Sequence, residues 1–419
     1  MTTTAVIIGQ GYVGLPLAQA AAAAGIRTIG LDLSERVVSG LNAGRSHVDD
    51  LSDAEIATML EQGYRATSDT SVIAEADVVV ICVPTPLGDA GEPDLGPVIG
   101  ATASIAKYLS PNTTVILEST TYPGTTDSLV QPRLEEDGRQ IDRDFFLAFS
   151  PERIDPGNEH YGLKNTPKVV GGVTPASTEA AVAFYSQFVD TVVPVKGARE
   201  AETAKLLENT YRHVNIALVN EMARFSHEMG IDLWDVIAAA STKPFGFQAF
   251  YPGPGVGGHC IPIDPNYLSY EVQRQLGYPF RFVELAQEIN NTMPRYVVDR
   301  VQDLLNDHAK SLKGSTVLLL GVTYKANIAD ERESPARPVA QHLLSKGATV
   351  QFHDPRVSTW RVDDQSFESV TDLEAAVRAA DIVVLLQSHR EYDVDALAEQ
   401  AAVFFDTRGK ATSPKAKRL

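Results

Sequence analysis

The residue most suited to chemistry in this sequence is a cysteine in a loop rich in glycine and proline. Cys260 follows residues 253–258, of which five of six are Gly or Pro, and Asp264 stands four positions after it. Glycine lets the backbone approach a ligand closely because it has no Cβ. A thiol among main-chain amides with a carboxylate nearby is typical of a nucleophile rather than of core packing. His259 is either a further site residue or a loop residue that faces solvent.

A polar line on an otherwise apolar helix is a second candidate site. Lys205 and Asn209 stand one helical turn apart, and Asn220 extends the line. The alternative is a solvated helix face, which Glu202 and Glu208 indicate for the same helix. The pattern alone favours neither interpretation of Lys205.

The chain begins with the pattern of a dinucleotide site. An apolar strand runs into Gly9, Gly11 and Gly14 and then into a helix. Gly9 permits the turn, Gly11 permits close approach of a pyrophosphate, and Gly14 lets the helix pack on the strand. A second strand ends at Asp32, eighteen positions after Gly14, where a carboxylate can hold both ribose hydroxyls. Asp32 favours NAD, because it would repel the 2′-phosphate of NADP, whereas Arg36 keeps some use of NADP open.

Loops at the carboxyl ends of later strands carry further candidates, because ligands of open α/β sheets bind at that edge. Pro84 and Thr85 follow one strand, Ser119 and Thr120 follow the next, and Glu152 stands in a charged, proline-containing segment after a third. Taken singly, Thr120 is a turn residue as often as a functional one. The predicted cofactor-binding residues are Gly9, Gly11, Tyr12, Val13, Gly14, Asp32, Arg36, Pro84, Thr85, Ser119 and Thr120.

Composition excludes several classes of protein. The chain has 419 residues, 44% apolar residues and a formal net charge of −18, which argues against an electrostatic nucleic-acid partner. Two cysteines cannot form a disulfide framework, and Cys82 lies in an apolar strand, which favours core packing. No targeting segment and no apolar run long enough to span a membrane is present in the sequence, so we expect a cytoplasmic protein.

The alternation of strands and helices predicts an α/β fold with two Rossmann-like, doubly wound parallel-sheet domains joined by a helical dimerisation domain. The predicted boundaries are residues 1–198, 199–309 and 310–419. The central part is predicted as a helix over residues 199–230 and another over about 270–306. It either mediates dimerisation or acts only as a spacer. Residues 411–419 are basic and are expected to form a frayed tail. The predicted strands are 5–8, 28–31, 78–83, 114–118, 146–149, 168–171, 316–320, 349–353, 382–386 and 403–406.

Six motifs in this order resemble the UDP-glucose/GDP-mannose dehydrogenase family over nearly the whole chain. They are residues 9–14, Ser119 to Thr125, Ser150 to Ile154, Lys205 to Asn209, Gly257 to Asp264, and 321–325 together with 330–334. The resemblance implies NAD at the first domain, UDP of a nucleotide sugar at the last domain, and a homodimer or higher homo-oligomer built through the helices. It also implies oxidation of the C6 alcohol of the sugar to a carboxylate by two hydride transfers.

The resemblance assigns roles to individual residues. Cys260 would form a thiohemiacetal with the intermediate aldehyde and then a thioester, and Thr120 and Glu152 match the residues that handle the hydrolytic water. Lys205, Asn209 and a water held by Asp264 match the group that manages the proton and the oxyanion. In the last domain Lys325 and Arg332 supply cations for a diphosphate, as does Arg408. The predicted substrate-binding residues are Glu152, Arg153, Ile154, Lys205, Asn209, Phe250, Tyr251, Gly255, Gly257, Lys325 and Arg332.

The identity of the sugar is predicted from departures within the cysteine loop. Ile263 stands where UDP-glucose dehydrogenases carry Lys, and the segment 244–264 resembles the branch that acts on UDP-N-acetylhexosamines, notably UDP-N-acetylglucosamine 6-dehydrogenases. UDP-glucose and UDP-N-acetylgalactosamine remain alternatives, as do a two-electron hydroxyacid dehydrogenase and a sugar-nucleotide sensor without turnover. No metal is expected, because His259 and Cys260 are adjacent and lack a second ligand pair at suitable spacing.

Overall fold

The computed structural model describes residues 3–48, 50–86, 88, 92–154, 158, 160–258 and 261–419. The chain divides into two compact units, which are Met1–Glu208 with Asn266–Tyr278 (unit 1) and Asn209–Pro265 with Pro279–Leu419 (unit 2). These boundaries differ from those of the three domains expected from the sequence, and the three-domain division stays a prediction. Within the described ranges, no helix is long and apolar enough to cross a membrane.

Unit 1 is built on an eight-stranded sheet over its described residues, in the order β3-β2-β1-β4-β5-β6-β7-β8. The neighbouring strands are parallel except β6 and β7. The first six strands have the doubly wound order that reverses direction between β1 and β4, where such folds bind ligands. The strands are β1 (Thr4–Ile8), β2 (Arg27–Leu31), β3 (Arg65–Thr67), β4 (Val78–Ile81), β5 (Thr113–Leu117), β6 (Phe145–Phe149), β7 (Lys168–Gly172) and β8 (Val192–Pro194).

Helices cover both faces of this sheet, so its central strands are buried along their whole length. For that reason β4 is a continuous apolar run, and β1 and β5 are apolar after their initial threonines. A 3-10 segment spans Thr70–Glu75 and a π-helical segment spans Thr126–Val130. The helices are α1 (Gly14–Ala23), α2 (Glu35–Asn42), α3 (Asp53–Glu61), α4 (Gly96–Tyr108), α5 (Gln131–Glu135) and α6 (Pro175–Tyr185).

Two helices contribute residues to both units. They are α7 (Ala198–Glu228) and α9 (Asp264–Leu276). The prediction of a single helix over residues 270–306 is wrong. The first helix ends before Gly277, whose φ is +76°, and the proline two residues later does not allow it to continue. The next helix then begins at Arg281.

Unit 2 contains a five-stranded parallel sheet over its described residues, in the order β10-β9-β13-β14-β15, with the reversal between β9 and β13. An antiparallel hairpin of β11 and β12 was not expected from the sequence. The strands are β9 (Thr316–Leu320), β10 (Thr349–His353), β11 (Thr359–Val362), β12 (Gln365–Glu368), β13 (Ile382–Leu385), β14 (Phe404–Asp406) and β15 (Ala416–Arg418). The other helices are α8 (Leu233–Ser241), α10 (Arg281–Asp307), α11 (Ala336–Ser345), α12 (Leu373–Ala379) and α13 (Val394–Gln400).

The prediction of a frayed C-terminal tail is wrong. β15 pairs in parallel with β14, with Ala416 opposite Phe404 and Arg418 opposite Asp406. Leu419 is buried in the apolar cluster of unit 2. Backbone pairing with the neighbouring strand and burial of this one apolar side chain order a segment whose composition resembles a disordered tail.

Candidate active site

The glycine turn after β1 has the geometry that a pyrophosphate requires. Gly9 has φ of +90°, and a Cβ on it would lie 2.5 Å from the carbonyl oxygen of Cys82. A Cβ on Gly14 would lie 1.8 Å from the carbonyl oxygen of Gly9, so α1 starts in direct contact with the turn. At Gly11, by contrast, no described atom lies within 4 Å of the position that a Cβ would take. The turn therefore leaves open space next to Gly11 and presents the first backbone N–H groups of α1.

Asp32 is held at the end of β2 by backbone donors. Its Oδ2 accepts from the Gln10 N–H at 2.9 Å, and its Oδ1 accepts from the Ser34 N–H at 2.9 Å. Gln10 is itself buried and accepts from the hydroxyl of Tyr64 at 2.7 Å. This pair crosses directly over Gly30, where a Cβ would lie 2.4 Å from the Tyr64 oxygen. The carboxylate is thus fixed against the glycine turn, as a residue that binds the ribose hydroxyls needs to be.

The remaining predicted cofactor residues differ in their surroundings. Tyr12 and Val13 are half-buried within the turn, whereas Arg36 is exposed on α2. Pro84 is exposed, and the carbonyl oxygen of Thr85 accepts from the buried Tyr267 hydroxyl at 2.5 Å. Ser119, which was predicted to bind the cofactor, joins the loops after β4 and β5. Its hydroxyl donates to the Val83 carbonyl at 2.7 Å. Thr120, next to it, is partly exposed.

Glu202 is the clearest correction on α7, because it is not part of a solvated face. It is 1% exposed, and its carboxylate accepts from the Gly124 N–H at 2.6 Å, the Thr126 N–H at 2.9 Å and the Thr126 hydroxyl at 2.7 Å. Burial outweighs these donors and raises the pKa of Glu202 to about 7. The contact ties the turn that follows Thr120 to the helix, one turn before Lys205.

The segment after β6 is attached to α7 at two points. Lys205 is only 6% exposed, and its Nζ donates to the main-chain carbonyl of Glu152 at 2.7 Å. The Glu152 carboxylate accepts from the Ile154 N–H through Oε1, while its buried Oε2 has no partner among the described residues. Arg153 is engaged by Glu208 at 2.6 Å and by the Pro167 carbonyl at 2.7 Å. Lys205 and Glu152 are therefore brought together, whereas Arg153 serves an ion pair within unit 1.

Beneath this segment lies a buried charge cluster that sequence reasoning missed. Lys168 Nζ lies 2.9 Å from Glu118 Oε1 and donates to the Pro151 carbonyl at 3.3 Å. The Tyr185 hydroxyl donates to the same carboxylate oxygen. Burial raises the pKa of Glu118, although the neighbouring ammonium of Lys168 opposes this shift. The sequence offers only one indication of this cluster: Glu118 directly follows the apolar strand β5, and Lys168 is the first residue of the apolar strand β7.

In unit 2, Asn209 and Asp264 are in direct contact, an arrangement that the sequence did not predict. Asn209 Nδ2 donates to Asp264 Oδ2 at 2.6 Å, and both side chains are buried. Asp264 is the first residue of α9, where its negative charge is favourable next to the helix N-terminus. The carboxylate thus fixes the amide orientation of Asn209, which lies one turn after Lys205 on α7.

At Gly253, Gly257 and Gly258 the glycine-rich loop lies against other parts of the protein rather than against open space. A Cβ on Gly257 would lie 2.6 Å from the Glu333 carbonyl oxygen, and one on Gly258 would lie 2.8 Å from the Tyr324 ring. A Cβ on Gly253 would lie 2.8 Å from the guanidinium of Arg408. Glycine is required here so that the loop can lie against the 324–335 segment and Arg408. His259 and Cys260 themselves lie outside the described residues.

Of the cations predicted for a diphosphate, Lys325 and Arg332 lie in the loop after β9, at the reversal point of the second sheet, and Arg408 follows β14. Lys325 is half-buried in the loop after β9. Arg332 forms a two-point contact with Asp330, at 2.8 and 2.7 Å, so part of its charge is already neutralised. Burial lowers the pKa of Arg408 to about 10, which leaves its guanidinium charged near neutral pH.

A buried histidine that the sequence did not single out supports the Lys325 loop. The N–H of Asn327 donates to His389 Nδ1 at 3.0 Å, so the ring proton is on Nε2, which lies 3.1 Å from Asp354 Oδ2. Asp354 also accepts from the Val322 N–H at 2.7 Å. Burial alone would raise the pKa of Asp354, but His389 and the backbone donors hold it below its usual value. The network fixes the backbone at Val322 and Asn327, on either side of Lys325.

The two aromatic residues predicted to contact substrate lie at the edge of the α7 and α8 packing. Phe250 packs edge-on against Tyr211 with ring centroids 5.6 Å apart. Tyr251 is largely exposed and stacks on Trp234 at 5.8 Å. Phe250 is only partly exposed and packs against an apolar cluster, so Tyr251 is the more accessible of the two rings.

Comparison with known proteins matches each part of the chain to one family. Residues 3–189 match the NAD binding domain of the UDP-glucose/GDP-mannose dehydrogenase family, residues 199–292 its central domain, and residues 318–413 its UDP binding domain. The chain belongs to the UDP-glucose/GDP-mannose dehydrogenase family. Membership makes it an NAD-dependent nucleotide-sugar dehydrogenase, and it confirms the predicted fold class, enzyme class and cofactor.

Relatives in this family cover the chain almost completely. An NDP-N-acetyl-D-galactosaminuronic acid dehydrogenase of Ralstonia nicotianae is 36% identical over 96% of this chain and 95% of its own length. A UDP-N-acetyl-D-mannosamine dehydrogenase of Salmonella typhi is 34% identical over 97% and 99%. The structure of the UDP-D-ManNAc dehydrogenase of Pyrococcus horikoshii superimposes with a TM-score of 0.89 at 29% identity, covering 100% of this chain and 99% of the other.

Proposed function

We propose that this protein oxidises C6 of a UDP-N-acetylhexosamine from alcohol to carboxylate, with Cys260 as the covalent nucleophile. The observation that supports this most directly is the arrangement on α7. Lys205, held by the Glu152 carbonyl at 2.7 Å, lies one turn from Asn209, held by Asp264 at 2.6 Å. A buried ammonium and a buried amide with fixed orientations are suited to stabilising an oxyanion without reorganisation.

NAD, when bound at the glycine turn and Asp32, accepts the hydride in each of the two oxidations. Between them, the Cys260 thiolate adds to the C6 aldehyde, forming a C–S bond while the carbonyl oxygen becomes an oxyanion. Lys205 and Asn209 stabilise that oxyanion, and Lys205 supplies or removes its proton. After the second oxidation the thioester is hydrolysed: a water adds to the carbonyl, the C–S bond breaks, and the thiol is restored. Thr120 and Glu152 are the residues proposed to order this water, and a water held by Asp264 is proposed to take part in handling the proton of the oxyanion.

The sugar is proposed to carry a 2-acetamido group. Ile263 replaces a cation in the cysteine loop, which suits a neutral substituent. The names of the relatives favour the manno or galacto configuration over the gluco configuration that the sequence alone suggested. UDP-N-acetylmannosamine and UDP-N-acetylgalactosamine are therefore the first substrates to test, with UDP-N-acetylglucosamine and UDP-glucose as comparisons.

The decisive experiment counts NADH per uronic acid over this panel. We expect two NADH per acid with an N-acetylated sugar, and loss of acid formation in Cys260→Ser. One NADH per turnover with release of an aldehyde would support a simple dehydrogenase. Calorimetric binding of UDP-sugar without any NADH would support the sensor. Faster turnover of UDP-glucose than of every N-acetylated sugar would overturn the assignment of the sugar.

We also propose a homodimer formed through one face of α7. Tyr211, Leu218 and Phe225 recur every seven residues and are each 45–54% exposed, followed by Met229 at 68%. Large apolar side chains at this spacing share one helix face and are typical of an interface. Light scattering should give a dimer for the wild type and a monomer for Phe225→Glu. The exposed Tyr161 lies elsewhere, so Tyr161→Glu should remain dimeric, and a dimeric Phe225→Glu variant would contradict the proposed interface.

A further inference from the structure

A chain of buried amides lies beneath the start of the glycine-rich loop. The Gly253 N–H donates to Asn220 Oδ1 at 2.9 Å, and Asn220 Nδ2 donates to Asn290 Oδ1 at 2.9 Å. Asn290 Nδ2 lies 3.4 Å from both Nδ1 and the carbonyl oxygen of His213. All three side chains are at most 3% exposed. The chain thus connects two helices, α7 and α10, to the loop.

Every link in this chain has a fixed direction. Gly253 donates, so Asn220 presents its oxygen to the loop and its nitrogen to Asn290, which in turn presents its nitrogen to His213. Burial lowers the pKa of His213 to about 4, so its imidazole is neutral near pH 7 and can accept at Nδ1. A buried network in which each amide is satisfied in one orientation specifies a single arrangement of the groups that it holds.

The opposite side of the loop is confined by backbone and proline. A Cβ on Gly255 would lie 3.0 Å from the Pro335 side chain and 3.6 Å from the Asn290 carbonyl oxygen. A Cβ on Gly257 would lie 3.0 Å from the same proline. The loop therefore passes between α10 and the 324–335 segment with no room for a side chain. Because the loop cannot shift sideways, we expect a loss of hydrogen bonds in the amide chain to change the position of the residues that follow along the loop.

We propose that Asn220 and Asn290 are positioning residues that fix the glycine-rich loop and thereby place the thiol of Cys260, seven residues after Gly253. The inference rests on the proposed function of Cys260 as nucleophile, but neither asparagine touches substrate in it. The alternative is that the two amides only fill space between α7 and α10. That alternative predicts a loss of stability and no specific change in the thiol or in kcat.

The test compares Asn220→Leu with Asn220→Asp. Leucine has the same branching but removes the acceptor for the Gly253 N–H, whereas aspartate keeps an oxygen there. We expect kcat of Asn220→Leu to fall by about 10²-fold, because a displacement of about 1 Å has that effect on a reaction that needs alignment. Asn220→Asp should recover to within about tenfold of wild type. The KM for NAD should stay within about twofold, because the cofactor is held by residues of unit 1.

Asn291 supplies a matched control on α10. It is exposed, and its side chain accepts only from Gln287 on the same helix at 2.8 Å among the described residues. Asn291→Ala should leave kcat and the thiol unchanged. If Asn220→Leu does not fold, Asn220→Ala removes the same acceptor without a new apolar group, and the same kinetic result is expected.

The second readout is alkylation of each cysteine by iodoacetamide, followed by peptide mass spectrometry across pH. Cys82 is buried and burial raises the pKa of its thiol well above the usual value, so it serves as an internal marker of folding. The pH midpoint for Cys260 should shift in Asn220→Leu and not in Asn291→Ala. A folded Asn220→Leu variant with wild-type kcat and a wild-type alkylation profile would overturn the proposal. If the wild type makes no NADH with any UDP-sugar, the proposed function fails, and the alkylation comparison still decides whether the asparagines position the thiol.

Discussion

Replacement of Glu202 by glutamine should remove a specific part of the pH dependence of stability. The carboxylate is 1% exposed and its pKa is raised from 4.5 to about 7 by burial. Because the folded-state pKa is the higher one, the folded state binds more protons than the unfolded state between these values. The stability that Glu202 contributes is therefore present in acid and is lost as pH rises through about 7.

The expected magnitude follows from linkage. A shift from 4.5 to about 7 corresponds to about 3 kcal/mol in total, since one pKa unit is about 1.4 kcal/mol. Roughly 2 kcal/mol of this is lost between about pH 5.5 and about pH 8.5. Glutamine imitates the protonated form but lacks one acceptor oxygen. The free energy of unfolding of Glu202→Gln should therefore differ from that of the wild type in acid by a constant amount and should not fall as the pH rises through about 7. The exposed Glu200, two residues earlier on the same helix, provides the matched control Glu200→Gln.

The assay must report on unit 1. Both tryptophans, Trp234 and Trp360, belong to unit 2, so tryptophan fluorescence would miss the effect. Hydrogen exchange of peptides that contain Gly124 and Thr126, corrected for intrinsic rates, measures the opening of the turn that Glu202 holds. Circular dichroism melts at each pH give the stability of the whole chain. Equal pH slopes for wild type and Glu202→Gln would show that the Glu202 carboxylate is not the source of this pH dependence.

Three further outcomes are expected. Lys168→Met should destabilise unit 1 by about 3–5 kcal/mol, because it leaves the buried Glu118 carboxylate without its ammonium partner, and adding Glu118→Gln should restore most of the loss in thermal melts. If the double variant is no more stable than the single one, the ion pair is not the cause. Gly30→Ala should destabilise by about 1–3 kcal/mol, because its Cβ would lie 2.4 Å from the Tyr64 hydroxyl, whereas Gly25→Ala, with open space but φ of +82°, tests backbone strain alone. Asp32→Ala should raise the KM for NAD by about tenfold or more through loss of a charge-assisted hydrogen bond to ribose, with the KM for UDP-sugar unchanged; an unchanged KM for NAD would remove Asp32 from the cofactor site.

Local sequence was sufficient for the elements that carry their own signal. Gly9, Gly11 and Gly14 stand between an apolar strand and a helix, and the structure has a strand, a turn and a helix there. The spacing of Lys205 and Asn209 predicted one helix face, because helical periodicity is a property of the chain and not of its surroundings. These features depend on residues within a few positions of one another.

The tertiary structure decided the environment of each charged residue. Glu202 and Glu208 have the same side chain on the same helix, yet the first is buried against the Gly124 turn and the second pairs with Arg153 at the surface. Lys168 and Glu118 are fifty positions apart and meet only because β5 and β7 lie in one sheet. Nothing in the neighbouring residues distinguishes a buried carboxylate from a solvated one, because desolvation depends on which distant element covers it.

The glycine-rich loop illustrates the same division. Its glycine content was enough to predict that its backbone lies close to a ligand or to another part of the protein, since glycine permits such contact. Only the fold decided that the close partners of Gly257 and Gly258 are the Glu333 carbonyl and the Tyr324 ring, and that Asn220 holds the start of the loop. Local sequence determines the backbone conformations and the kinds of contact that are open to a residue. Long-range packing determines which partner the residue contacts, because that partner comes from a distant part of the chain.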